Sequence, residues 1–266
     1  MTASSGKSAG RSAGNQPAGK SAGNSAGKPA VSRETVSALL MQGLIALGVP
    51  ERGDAGNQSI AGIRGRVELV PLLDRYMDEL ELFNAAFDLV GADNRRDLAV
   101  RHLLDSLAPW KQLLAAMGLT DAAGGQTLAD AGTGAGLPGI PLALLFPGFR
   151  VTLIERMTKR CSFLENCRAL LGLTNVEILE ADISDAPSGR FDAVVFRAFR
   201  PLDPAMYQSI ASLARPGGVL AAWKGRRSKI DEEMAGLEAM RPRWEAHRVS
   251  VPFLESDERH LVTIAP

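Results

Sequence analysis

Cysteine and histidine are scarce in this chain of 266 residues: there are two of the first, Cys161 and Cys167, and three of the second, His102, His247 and His260. Two cysteines without C-x-x-C spacing make neither a redox pair nor a disulfide framework, so a reducing compartment is expected. The histidines fall in different segments, which argues against structural zinc, so no metal site is expected and other groups must carry the chemistry. No apolar run approaches the roughly 18 residues of a membrane span, and the N-terminus has no apolar secretory core. A soluble, cytoplasmic monomer with no membrane partner is expected. Charge of one sign is also missing, since 30 Lys and Arg balance 30 Asp and Glu. The balance is uneven along the chain: residues 1 to 33 hold Lys7, Arg11, Lys20, Lys28 and Arg33 and no acid, leaving 25 bases against 30 acids elsewhere. That excludes a uniformly basic nucleic-acid coat, so a polyanion must be met by local patches.

What is present divides the chain into three parts. Residues 1–32 repeat Ser-Ala-Gly with Lys or Asn following, a composition too poor in large apolar groups to offset ordering entropy, and a disordered tail is expected. Its basic, acid-free, Ser-rich character is shared with transit peptides, but the repeats give no amphipathic stripe. The tail holds a formal phosphate-loop match from Gly14 to Ser21, which lacks the flanking strand and helix that such a loop needs and is taken as accidental. Residues 33–124 are expected to form a helical region: apolar positions recur at helical spacing over Val36 to Val49 and Val67 to Phe83, with a Gly-rich linker around Gly53 to Gly65. A further helix is expected to open at Asn94, which can cap it while Asp97 favours the first turn, and another to span Trp110 to Leu119. From 125 to 266 strands and helices alternate. Strands are predicted at Thr127–Asp130, Val151–Glu155, Val176–Leu179, Phe191–Phe196 and Val219–Trp223. Helices are predicted at Pro138–Phe146, Thr158–Leu171 with Gly172 as C-terminal cap, Leu202–Leu213 and Ile230–Met240. A closing hairpin is predicted from Trp244–Val251 and His260–Ile264. Alternation of this kind means parallel strands with crossovers in an open doubly wound α/β sheet, whose ligands bind beyond the carboxyl ends of the strands.

The segment Asp130-Ala131-Gly132-Thr133-Gly134-Ala135-Gly136-Leu137-Pro138-Gly139 lies between the first strand and its helix, where a nucleotide cradle belongs. Gly134 to Gly139 fits G-x-G-x-x-G, and Glu155 follows Gly136 by 19 residues, the place of a ribose-binding acid. A nicotinamide dinucleotide and S-adenosyl-L-methionine therefore compete for the loop. Asp130 would repel a pyrophosphate but suits an ammonium group or an ordering role within the loop. Pro138 and Pro141 remove N–H donors that a phosphate would use. The phrase Leu213 to Leu220, with Pro216-Gly217-Gly218 as its turn, matches the helix, turn and late strand of Rossmann-like methyltransferases. These features favour S-adenosyl-L-methionine. Glu155 would then accept from both ribose hydroxyls, with a charged hydrogen bond worth about 1.5–3 kcal/mol, the alternative being an exposed acid paired with Arg156 or Lys159. Asp182-Ile183-Ser184 would lie beside the adenine, or Asp182 is simply a capping residue.

Several phrases resemble one family, the bacterial small-subunit ribosomal RNA guanine-N7 methyltransferases, also called glucose-inhibited division protein B. They are Arg101-His102-Leu103-Leu104-Asp105-Ser106, the long glycine loop running on through Ile140-Pro141-Leu142, Lys159-Arg160 with Phe163-Leu164, Arg197-Ala198-Phe199, Lys224-Gly225, and Glu258-Arg259-His260-Leu261-Val262. The likeness covers roughly residues 66 to 265. It implies a Rossmann-like class I methyltransferase sheet behind an N-terminal helical cap, with 16S rRNA or the small ribosomal subunit as partner. It further implies that Gly132 and Leu137 contact the cofactor, with Gly134 in the same loop, that Ile183 and Ser184 flank the adenine, and that Arg197 stands at the active cleft. Two departures are visible: Asp88-Leu89-Val90 replaces the usual Asn-Leu-Thr, and Asp182 replaces an arginine common before the adenine-side pair.

Guanine N7 carries a lone pair and no proton, so its methylation needs placement rather than a general base. Arg197, permanently charged, is the expected catalytic residue, orienting the base; it could donate to guanine O6, to an RNA phosphate or to the cofactor carboxylate as a cofactor-binding residue, or else is a surface arginine beyond a strand. His102 is expected either at the substrate or in packing between cap and sheet, and Arg101 and Asp105 as an i, i+4 ion pair. Lys159-Arg160, Arg200, Lys224, Arg226, Arg227, Lys229 and Arg259 are candidates for a phosphate-binding rim, or for a solvated charged face. Methylation of another substrate and a nicotinamide-dependent oxidoreductase remain as alternatives.

Overall fold

The computed structural model describes residues 32–53, 62–122, 124–197 and 202–266. The Ser-Ala-Gly tail with its phosphate-loop match, most of the Gly-rich linker, and Ala198, Phe199 and Arg200 lie outside the described residues.

Helix α1, Arg33–Ala46, begins where Ser32 accepts a hydrogen bond from the Thr35 N–H. Helix α2, Arg66–Phe87, runs a turn beyond the expected end and stops at Asp88, whose φ is 47°. Asp tolerates this left-handed geometry almost as Asn does, so the departure from Asn there leaves the turn intact. The Asn84 side chain holds that turn, accepting from the Leu89 and Val90 N–H groups and donating to the Val90 carbonyl. Asn94 caps α3, Arg95–Asp97, by accepting from the Asp97 N–H. The chain then runs through a π-helical segment, Leu98–Leu104, into α4, Asp105–Leu107. Helix α5 is Trp110–Ala116.

Seven strands follow: β1 Thr127–Ala131, β2 Arg150–Glu155, β3 Val176–Glu180, β4 Phe191–Arg197, β5 Ala214–Lys224, β6 Arg243–Arg248 and β7 His260–Ala265. They lie in the order β3-β2-β1-β4-β5-β7-β6. Strands β1 to β5 are parallel, and β7 runs antiparallel between β5 and β6. Between them stand α6, Gly139–Leu145, α7, Thr158–Leu171, α8, Pro204–Leu213, and α9, Arg227–Ala235. Helix α7 has its expected bounds, and Gly172 ends it at φ 62°. The expected single helix to Met240 is instead α9 plus a 3-10 turn, Glu238–Met240, because Gly236 intervenes. Strand β5 starts at Ala214, earlier than expected, and the register with β4 shifts between Phe191 and Ala193. A Cβ on Gly218 would lie 2.8 Å from the Phe191 carbonyl oxygen, so only glycine fits that close approach.

The strands' two-residue alternation splits the interior. Ala193, Val195, Val219, Ala221 and Trp223 point into one cluster with the front helices, α6 and α7, whereas Val194, Phe196, Leu220 and Ala222 join α8 and α9 on the other face. Leu40, Leu44, Leu73, Leu103 and Trp110 thus share a core with the sheet, and Val31–Pro266 form one compact unit. No helix among the described residues is long and apolar enough to cross a membrane.

Candidate active site

The glycine loop leaves the carboxyl end of β1, with Gly132, Gly134 and Gly136 all at positive φ. A Cβ on Gly139 would come 2.4 Å from the Leu153 side chain and 2.7 Å from Asp130 Oδ2, so helix α6 can approach β1 and β2 only with glycine there. Asp130 is fully buried, and its Oδ2 accepts from the Thr133 hydroxyl at 2.6 Å and the Gly139 N–H at 2.8 Å. Oδ1 has no hydrogen-bond partner. Burial pushes this carboxyl up to about 6, against the two hydrogen bonds and the Arg197 charge. Of the two roles expected for Asp130, the one visible here is ordering the loop.

Glu155, at the end of β2, is buried. Its Oε2 accepts from the Gly134 N–H at 3.0 Å and its Oε1 from the Met157 N–H at 2.9 Å. The alternative partners Arg156 and Lys159 do not engage it; the nearest cation is Arg160, at 3.9 Å. Asp182 caps the short 3-10 turn Ile183–Asp185, accepting from the Ser184 N–H. A cavity of about 320 Å³ opens at the ends of β1, β2 and β3, with Gly132, Ile154, Glu155, Asp182, Ile183 and Met206 among its walls. Gly134, Leu137 and Ser184 stand in the same segments without lining it.

The loop's own N–H groups decide which cofactor suits this cavity. Those of Thr133, Gly134, Gly136, Leu137 and Gly139 all go to protein acceptors. A pyrophosphate cradle needs such groups free and pointing at the ligand. What remains is a buried carboxylate beside Ile154, Ile183 and Met206, with Arg156 and Arg160 also on the wall, a setting that fits the ribose and adenine of S-adenosyl-L-methionine.

A second cavity, of about 260 Å³, lies farther along the same edge, at the ends of β4 and β5 and the start of β7. Arg197, His102, Asp105, Trp223, Lys224 and Arg259 line it. The Asp105 carboxylate sits between two guanidiniums, with Arg197 Nη1 and Arg259 Nε each donating at 3.1 Å to separate oxygens. Arg197 also donates to the Arg101 and His102 carbonyls and, through Nη2, to His102 Nδ1 at 3.1 Å. That contact assigns the His102 proton to Nε2, which faces the Gly91 carbonyl at 3.4 Å. Burial, then the Arg197 charge, holds the imidazole below its ordinary value, so it stays neutral. The expected Arg101–Asp105 pair is absent, and Arg101 reaches Asp257 instead at 3.2 Å. The reason is the π-helical segment: its wider turn takes residues four apart out of the alignment they have on an α-helix.

The expected basic rim is largely neutralised. Lys224 pairs with Glu233, Arg227 with Asp231 and Lys229 with Glu232. Arg156, Lys159 and Arg226 are exposed and have no ion-pair partner among the described residues. The sequence reading passed over Tyr76 and Trp223. Both are buried aromatics with a polar handle that must find a partner: the Tyr76 hydroxyl donates to the Ala135 carbonyl and the Trp223 indole to the Asp105 carbonyl.

Seven strands with the last reversed, and a glycine loop that commits most of its N–H groups internally beside a ribose-side acid, define a Rossmann-like class I S-adenosyl-L-methionine-dependent methyltransferase. The profile of the GidB family, rRNA small subunit methyltransferase G, matches residues 70–262. The ribosomal RNA small subunit methyltransferase G of Treponema denticola is 38% identical over 258 residues, covering 88% of this chain and 96% of its own. That of Stenotrophomonas maltophilia strain K279a is also 38% identical, over 232 residues, with 86% and 95% covered. The chain belongs to the rRNA small subunit methyltransferase G family.

Proposed function

We propose that this enzyme methylates N7 of one guanine in 16S rRNA, working as a monomer in the cytoplasm, with the first cavity holding S-adenosyl-L-methionine and the second the target nucleotide. The observation that carries this reading is the pair of cavities on one sheet edge, one with the Glu155 carboxylate, apolar groups and two arginines on its wall, the other walled by arginines, a histidine and an indole. When bound, S-adenosyl-L-methionine supplies an electrophilic methyl group. Glu155 holds the ribose side, Ile183 the adenine side with Ser184 next to it in the chain, and Gly132 borders the methionyl portion, with Leu137 farther along the same loop. Guanine N7 needs no proton removed, which agrees with a His102 that is neutral and occupied on both ring nitrogens. Among the described residues Arg197 keeps one Nη2 hydrogen and its Nε–H uncommitted, enough to orient the base by donation to its acceptor edge. Arg259 and Lys224 border the same space, while Arg156, Lys159 and Arg226 provide free positive charge for the RNA backbone.

Aniline cleavage of 16S rRNA tests the assignment, because N7-methylated guanine is labile after reduction. Cells with the gene should show one cleavage that cells without it lack, and Arg197→Ala should restore the unmodified pattern. Identical maps with and without the gene would refute the rRNA reading. Neutralising Arg156, Lys159 and Arg226 together should flatten the salt dependence of RNA binding, and an unchanged slope removes them from the contact face.

A further inference from the structure

The glycine loop is anchored on three sides. From below, Asp130 holds Thr133 and Gly139; from the sheet, Glu155 holds the Gly134 N–H. The third anchor comes from outside the sheet. Tyr76 lies on the buried stripe of α2 with Leu69, Leu73, Met77 and Leu80, and its hydroxyl donates to the carbonyl of Ala135. Ala135 stands between Gly134, at φ 60°, and Gly136, at φ 90°. The two glycines that flank it have the least intrinsic preference for one conformation and lose the most freedom on being ordered, so the apex of the loop is where an added tether matters most.

We infer that Tyr76 is a positioning residue for the cofactor: its hydroxyl sets the apex of the glycine loop, so the N-terminal helices complete a binding site whose walls belong to the sheet. The inference rests on the reading that this loop holds S-adenosyl-L-methionine. Burial, with Cys167 nearby, pushes the Tyr76 hydroxyl well above its ordinary range, so it keeps its proton and remains a donor at any working pH.

Tyr76→Phe removes the hydroxyl and keeps the ring. Trp110→Phe is the matching control, because it removes another hydrogen bond within the front helices, from the Trp110 indole to the Leu47 carbonyl, away from the loop. Calorimetry on the full chain, well below the unfolding midpoint, should show Tyr76→Phe binding S-adenosyl-L-methionine about tenfold more weakly, the scale of one lost hydrogen bond. Affinity for a 16S rRNA fragment should stay within about twofold, and Trp110→Phe should lower the midpoint while leaving cofactor affinity unchanged. Cofactor affinity in Tyr76→Phe equal to wild type, or an equal loss for cofactor and RNA, or an equal loss in Trp110→Phe, would each overturn the positioning role. Glu155→Ala separates the two levels of the argument. If it loses cofactor while Tyr76→Phe does not, only the Tyr76 inference falls; if both bind normally, the loop is not the cofactor site.

Discussion

Asp130 shows how a single residue can be recognised in the sequence while two kinds of work for it stay open. Its place before the glycines marked it as part of a cofactor loop, but the choice between meeting a ligand and ordering the backbone depends on burial, which one residue's letter does not carry. The geometry gives it Thr133 and Gly139 and leaves one oxygen alone. Its carboxyl is raised from 3.8 to about 6 in the folded chain. A raised acid binds its proton more tightly when folded, so its contribution is fully present below pH 3.8 and is lost as pH rises through 6, by a few kcal/mol at most. The expected outcome is that wild type minus Asp130→Asn, measured by urea unfolding, falls between pH 4 and 7; a flat difference would place the carboxyl at its ordinary value. Glu155 was legible for a simpler reason: the end of a strand about 20 residues after the glycines is fixed by topology.

At the scale of elements, the sheet was readable because strand and helix periods differ and because Gly172 and Asn94 mark ends by side-chain and backbone chemistry; Pro204, which opens α8 two residues after the expected start, was passed over. The π-helical segment was not. Leu98–Leu104 carries ordinary helix-forming residues, and its widening reflects tertiary contacts: the Arg101 and His102 carbonyls face Arg197, and Asp105 turns toward two guanidiniums from β4 and from the start of β7. Those partners lie about a hundred residues or more away in the chain, beyond the reach of local spacing rules. A double-mutant cycle checks the result. Arg259 and Asp105 should couple by about 1 kcal/mol or more, as expected for a partly buried pair, whereas Arg101 and Asp105 should couple by less than about 0.3 kcal/mol. Strong coupling in the second pair would restore the i, i+4 reading. The basic rim shows the same limit: Lys224, Arg227 and Lys229 looked free in the sequence because Glu233, Asp231 and Glu232 could equally have faced solvent.

For the molecule as a whole, periodicity foretold a helical region ahead of an alternating sheet, but not that the front helices and the sheet would bury their apolar side chains together. The shared cluster, from Leu40 and Trp110 to Ala221 and Leu261, means the helices have no private interior to keep them folded alone. Thermal unfolding should therefore be a single transition by both far-ultraviolet and tryptophan signals. S-adenosyl-L-methionine at 100 times its dissociation constant should stabilise the fold by about 2.7 kcal/mol and raise the midpoint by roughly 5–10 °C or less, without splitting the transition. Two separate melts would make the front helices an independent domain. The placement of β7 between β5 and β6 also has a bearing on biosynthesis. Strand β6 is made first yet has no neighbour to pair with until β7 slots in beside it, so a nascent chain still lacking residues up to Ala265 offers an open edge at β5 and a stray strand. The sheet can close only after Ala265 has been made and has cleared the ribosome.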